Sequence, residues 1–377
     1  MRGKETSPVY HDQEAVYMST IEKDQNHSLL DEVSIDESKI NELIEKYDAE
    51  SRYRKLTGLQ GKFITAWLCA MSLFHLYTAG IATMPITIQR AIHLTFAIVA
   101  VYILFPAGRK GSKTSTPIYD WILAVISGGV IGYIIFFFND IARRGAEPLP
   151  YEIWLGIAAI ILVLEAGRRV VGNVLPCMSI LFLLYCRFGY MVPGMFQIRG
   201  YSLSRIIQHM YLTPEGIFGL ALGVSATFVI VFIIFGAFLS QSGGARFFNE
   251  LALAVAGGTP GGPAKVAVVA SGLLGTINGS SVANVATTGT FTIPLMKRVG
   301  YPPHYAGAVE ACASTGGQLM PPIMGAGAFI MSEFLGISYL TIAAAAIIPA
   351  FIYYTAIFTN VHIRARKENF QGLPADQ

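Results

Sequence analysis

Two short runs carry the residues able to do chemistry. Residues 310–327, EACASTGGQLMPPIMGAG, form an apolar run that should be a transmembrane helix, yet Gly316-Gly317 and Pro321-Pro322 stand in its middle. In hydrocarbon an unpaired backbone amide or carbonyl costs several kcal/mol, so irregular backbone survives there only where it lines a protein cavity or meets an ion or ligand. Residues 275–289, GTINGSSVANVATTG, are too polar and too rich in small residues for a lipid-facing helix. Their middle, Asn278-Gly279-Ser280-Ser281, is a good turn. Gly279 permits tight backbone, and the oxygens of Asn278, Ser280 and Ser281 are hard ligands suited to a sodium ion. Half-helix ends aimed at the turn add dipoles: amide ends favour anionic groups and carbonyl ends favour cations. The alternative is that Gly and Ser here only let helices pack closely, as small residues do in membranes.

Composition says what must position these runs. Of 377 residues, 53% are hydrophobic and 14% charged, against about 25% charged in a soluble domain. The chain reads as an all-α polytopic membrane protein of about eight transmembrane spans, with one re-entrant helical hairpin and a discontinuous helix. Spans are expected at 62–82, 88–106, 119–138, 152–168, 172–190, 216–240 and 337–361, with a paired segment at 264–296 and a broken span at 304–331. The mixed stretch 191–215 is expected at an interface.

The short loops set orientation. Arg52, Arg54, Lys55 and Lys62 flank the first span, Arg109, Lys110 and Lys113 follow the second, and Arg168-Arg169 follow the fourth. A cytoplasmic N-terminus places all three clusters inside. It leaves Arg143 and Arg144 outside, unexplained. Lys297-Arg298 and Arg364, Arg366 and Lys367 fall inside only if 264–296 enters and leaves by one face, which favours a re-entrant hairpin.

The head of the chain differs from the rest: 13 of the 24 acidic residues lie in the first 50 positions. No signal peptide is expected there, since residues 1–55 contain no continuous apolar core. Leu29, Leu30, Val33, Ile40, Leu43, Ile44 and Tyr47 recur at helical spacing, either as an amphipathic helix or as a marginal helix in a tail. Cys69, Cys177, Cys186 and Cys312 lack paired spacing and read as small buried hydrophobes. No metal site is implied apart from ions held by oxygen. Glu310 either steers a cation or pairs with His304, or is solvated near the interface beside Tyr305. No Asp/Glu pair, HExxH, Ser–His pairing or phosphate loop appears at membrane depth, so an enzyme lacks support, and no nucleic-acid partner is expected.

Residues 216–361 resemble the first half of the large membrane subunit of tripartite ATP-independent periplasmic (TRAP) transporters, on GSSVANVATTG, PLMKRVGY at 294–301 and EACASTGGQLMPPIMGAGAF in that order. By hydropathy and order, 61–190 are similar to the small subunit and connecting helix of fused members, of the type served by TAXI-class binding proteins. The implied organisation is a cytoplasmic extension at 1–60, the small-subunit-like region at 61–190, a linker at 191–215, a first repeat at 216–361 and a polar tail at 362–377. The resemblance implies half of an inverted-repeat elevator transporter in the bacterial inner membrane, driven by sodium rather than ATP. It would import an organic anion, a carboxylate, handed over by a periplasmic binding protein. Implied sodium ligands are Asn278, Gly279, Ser280 and Ser281 opposite Gly316, Gly317 and Pro321; implied substrate contacts are Ser281, Thr315, Gln318 and Pro322.

The sequence departs from that family in one respect. Such transporters repeat the hairpin and the broken helix, and this sequence contains one copy of each. The expectation is that transport needs a second half on another polypeptide. The alternatives are a truncated, non-transporting scaffold with the same elements, or two copies associated antiparallel, which the charge bias toward one orientation disfavours.

Overall fold

A computed structural model describes residues 53–108, 111–112 and 114–373, and over these it contains helices and no strand. The possible helix within 29–47, Arg52 and the basic cluster Arg109, Lys110 and Lys113 lie outside the described residues. Six described helices are long and apolar enough to cross a membrane, fewer than the eight spans expected.

In chain order the described helices begin with α1 (Gly58–Gly80), α2 (Ile86–Leu104), α3 (Ile118–Arg143), α4 (Pro150–Val171) and α5 (Val174–Phe188), of which all but α4 are among the six. Pro85, Pro117 and Pro150 stand where α2, α3 and α4 begin; a proline's missing N–H is no loss in the first turn, where amides have no helical partner. Large apolar side chains such as Phe136, Trp154 and Phe351 point outward, as they must on helices solvated by lipid. The cysteines follow the same rule rather than the expected one: Cys69, Cys177 and Cys312 are exposed and Cys186 is half-buried. On a spanning helix an apolar thiol is at home on the lipid face, so burial was the wrong inference.

A single apolar core joins α1–α4 to residues 207–218, with Tyr102, Ile131, Ile207, Tyr211 and Phe218 buried in it. The chain reaches it through the short α6 (Leu203–Ile207) and a π-turn, Gln208–Leu212. The end of the stretch expected at an interface therefore turns inward. Tyr211 Oη donates to Val130 O, and bare Gly156 makes room for Ile207.

Polar side chains fasten both ends of this bundle. Arg144 pairs with the buried Glu152 at 2.7 Å, and Glu152 also accepts from Tyr133 Oη at 2.7 Å. This accounts for Arg144, one of the two arginines that charge counting left unexplained: it is neutralised within the protein. At the other end Asp120 is fully buried between Arg54 at 2.5 Å and Arg169 at 2.7 Å, and Arg169 also holds Glu165 at 2.9 Å. Arg168 and Arg169 thus both hold the Glu165 carboxylate.

The next span is α7 (Leu220–Val224) and α8 (Ile230–Gln241), joined by a π-turn, Ser225–Val229. An unexpected amphipathic helix follows, α9 (Gly244–Ala256); at 13 residues it is too short to register as a span. Then come α10 (Gly262–Asn278) and α11 (Ser281–Arg298), packed along each other as the expected hairpin. At 1.5 Å per residue they are about 26 Å long, short of a bilayer's hydrocarbon thickness of about 30 Å. The broken span is α12 (Pro303–Gly316), an irregular loop, and α13 (Ala326–Leu335), and α14 (Tyr339–Lys367) ends the regular structure.

The segment after α14 folds back onto the hairpin base. Gly261 N donates to Phe370 O at 3.1 Å and Leu373 N to Gly257 O at 2.9 Å, while Tyr301 packs against Phe370. The Lys297-Arg298 and Arg364–Lys367 ends therefore share one face, as the charge pattern required of a hairpin. Burial in that loop pushes the Tyr301 phenol up to about 12.

Candidate functional site

The hairpin turn is built from local rules. α10 ends at Asn278, and Gly279 takes φ +57°, the left-handed conformation that glycine adopts without a Cβ penalty. Ser280 then caps α11, its Oγ accepting from Ala283 N at 3.3 Å, and Asn278 Oδ1 accepts from Ser280 N at 3.3 Å.

The helix break lies directly against this turn. Gly275 and Gly317 meet backbone to backbone, and a Cβ on either would strike the other's Cα. Gly279 is equally close to the Met324 carbonyl. Ile323 N donates to Thr276 O at 3.4 Å, and Gln318 Nε2 to Ser281 Oγ at 3.2 Å. Four helix ends thus converge: the carbonyl ends of α10 and α12 and the amide ends of α11 and α13. A carbonyl oxygen has two lone pairs, so one already bonded within the loop can still face a cation.

The structure brings together Asn278, Gly279, Ser280, Ser281, Gly317 and Gln318 from the expected set. The others face elsewhere. Gly316 packs under the rings of Tyr353 and Tyr354. Thr315 Oγ1 donates to Ala311 O at 2.7 Å, inside its own helix. Pro321 leads a cis bond into Pro322, whose carbonyl accepts from Tyr339 Oη at 2.6 Å. Beyond the break, exposed Glu333 lines a cavity of about 500 Å³ with Phe228, Phe232 and Tyr339.

One functional candidate escaped the sequence, Asn284, and the surroundings of another, Glu310, went unread. Asn284, one turn past the tip, is fully buried; its Nδ2 donates to Ser271 O at 2.8 Å and its Oδ1 has no partner. Glu310 neither pairs with His304, which is exposed, nor meets solvent. It is fully buried and accepts from four hydroxyls: Ser271 at 3.2 Å, Ser314 at 3.0 Å, and Thr288 and Thr292 at very short range. The signal was present. Asn284, Thr288 and Thr292 recur at i, i+4 on one face of α11, as do Glu310 and Ser314 on α12.

Residues 158–377 match the family model of the tripartite ATP-independent periplasmic transporter, DctM component. That stretch reaches back through α5 into α4, beyond the region carrying the motifs. The chain is 28% identical over 204 residues to the C4-dicarboxylate TRAP transporter large permease protein DctM of Pseudomonas aeruginosa, covering 52% of this chain and 47% of that protein. It is 35% identical over 91 residues to the isethionate TRAP transporter permease protein DctMQ of Oleidesulfovibrio alaskensis, 24% of this chain and 14% of that one. To the 2,3-diketo-L-gulonate TRAP transporter large permease protein YiaN of Escherichia coli it is 28% identical over 115 residues, 30% and 27% of the two chains. The chain spans about half the length of the first of these relatives.

Proposed function

Because the chain belongs to the DctM component family of tripartite ATP-independent periplasmic transporters, a family of multi-pass inner-membrane permeases rather than enzymes, we propose that it is the membrane component of a secondary transporter. In this proposal it imports an organic anion, a carboxylate, released to it by a periplasmic binding protein, and sodium entry drives the step. The N-terminus lies in the cytoplasm. Residues 61–190 serve as the small permease subunit together with a connecting helix, fused in the TAXI manner. A second hairpin-and-break unit works with this one, supplied in the assay as a separate polypeptide.

The observation that carries the proposal is the convergence of four helix ends at the hairpin tip. Asn278, Ser280 and Ser281 would hold sodium there with carbonyls beside Gly317, a donor set of neutral hard oxygens that suits a monovalent hard cation. Gly279 shapes the turn. The amide ends of α11 and α13 favour a carboxylate, and Gln318 and Ser281, already in contact, are positioned to orient it. Gly316, Thr315, Pro321 and Pro322 shape the break in this proposal, and their polar atoms come to the ligands only if the loop moves.

The test is uptake of dicarboxylates into proteoliposomes holding this chain, the second unit and a cognate binding protein, with and without an inward sodium gradient. Sodium-dependent uptake is expected, with the sodium requirement raised on the order of ten-fold in Ser280→Ala and Ser281→Ala. Uptake indifferent to sodium would remove the ion assignment, and none at all would remove the transport proposal.

A further inference from the structure

Glu310 lies about two turns before the break, at the junction of α10, α11 and α12, and its carboxylate has no solvent exposure. A buried charge is ordinarily paired with an opposite charge or bound to an ion. No ion pair to Glu310 forms among the described residues. The charged groups on the surrounding helices are committed elsewhere: Lys265 of α10 donates to Thr259 Oγ1 at 3.1 Å, Lys297 and Arg298 are exposed at the far end of α11, and His304 is exposed at the start of α12. From α14 the titratable neighbour is Tyr354, whose hydroxyl donates to Ala313 O at 3.0 Å.

The hydroxyls around the carboxylate have two choices. Thr288 Oγ1 is 2.8 Å from Asn284 O, and Thr292 Oγ1 is 3.0 Å from Thr288 O, so each threonine can donate to a carbonyl one turn back instead of to Glu310. A hydroxyl has one hydrogen and two lone pairs. Turned toward the carboxylate, the hydrogens stabilise it when it stands alone. Turned toward the backbone, they leave oxygen lone pairs facing the carboxylate, where a positive charge can be accommodated. The same ring therefore serves an empty and a filled state with little rearrangement. Asn284 adds a buried oxygen without a partner one turn from Thr288.

We propose that Glu310, with Ser271, Thr288, Thr292 and Ser314, forms a buried site for one monovalent cation, a proton or an alkali ion, separate from the hairpin tip. Occupation neutralises Glu310. The inference does not depend on sodium at the tip.

Infrared difference spectra of the purified chain in lipid nanodiscs test it. One arm exchanges choline for sodium at constant pH; the other acidifies in choline. If an alkali ion is the occupant, the carboxylate stretching bands shift when sodium is added. If it is a proton, the carbonyl band of a protonated carboxyl grows on acidification. Either band is expected to be lost in Glu310→Gln, which keeps the side chain's size and hydrogen-bonding atoms, and to survive in Ser280→Ala with Ser281→Ala whatever happens at the tip. Difference spectra of wild type and Glu310→Gln that superimpose in both arms overturn the proposal. If Glu310→Gln does not fold, Thr288→Val with Thr292→Val takes its place: the band's midpoint should move on the order of ten-fold in cation concentration, and an unmoved midpoint overturns it as well.

Discussion

Asp120→Ala is expected to destabilise the amino-terminal bundle by about 3–5 kcal/mol, the usual effect of removing one partner from a buried ion pair. Asp120 sits between two guanidinium groups, and the side chains of Arg54 and Arg169 are 0% and 2% exposed. Without the carboxylate both cations stay buried with less compensation. Arg54 keeps bonds to the carbonyls of Ile103 at 2.8 Å and Tyr102 at 3.3 Å, and Arg169 keeps Glu165, so the damage is large but bounded. Asp120→Asn, which retains shape and one acceptor, should fall between. The measurement is chemical unfolding in detergent followed by tryptophan fluorescence, since Trp67 and Trp121 pack beside this core. Asp140→Ala is the control: its contact with Arg143 is 3.9 Å long and both side chains are well exposed, so its effect should stay within about 0.5 kcal/mol. Equal effects at the two positions would show that the network adds nothing to stability.

Gly279→Ala should weaken sodium dependence on the order of a hundred-fold, the penalty typical of displacing a positioned group by about 1 Å. Two effects combine. An alanine at φ +57° pays roughly 1–2 kcal/mol of backbone strain, and its Cβ would collide with the Met324 carbonyl, a backbone atom that cannot swing aside as a side chain can. The turn must therefore withdraw from the break. Gly327→Ala, in the first turn of α13 with open space around it, should leave the apparent sodium affinity unchanged. The readout is the sodium concentration for half-maximal uptake or thermal stabilisation, and identical values for the two variants would refute the packing argument.

The parts of the site that were legible were those set by local chemistry. The turn at Asn278–Ser281 announced itself through a glycine among small polar residues, and the break through paired glycines and prolines, because both depend on a few adjacent residues. The run 275–289 was recognisable as something other than a lipid-facing helix because it is polar and rich in small residues, which let helices approach closely. What stayed hidden depends on partners far along the chain. Asp120 met Arg54 across 66 positions and Arg169 across 49, and no spacing rule links them. The outward cysteines were misjudged because a soluble-protein habit was applied to helices whose outside is apolar. α9 was missed because 13 residues of mixed polarity resemble a loop when neither spanning length nor long periodicity is present. Glu310 was noticed for its cost, yet its four hydroxyl partners come from three helices, and no spacing rule brings those helices together.

The backbone bonds that tie Gly257 and Gly261 to Leu373 and Phe370 hold one end of the hairpin, while its turn touches the loop of the break largely through glycines and few side-chain bonds. Mechanically this is a cantilever. A beam fixed at its root and resting on a stop at its tip bends only as far as the stop gives way, and here the stop is the Met324 carbonyl beside Gly279. The beam's stiffness is set far from the tip, by the carboxy-terminal segment that clamps the root.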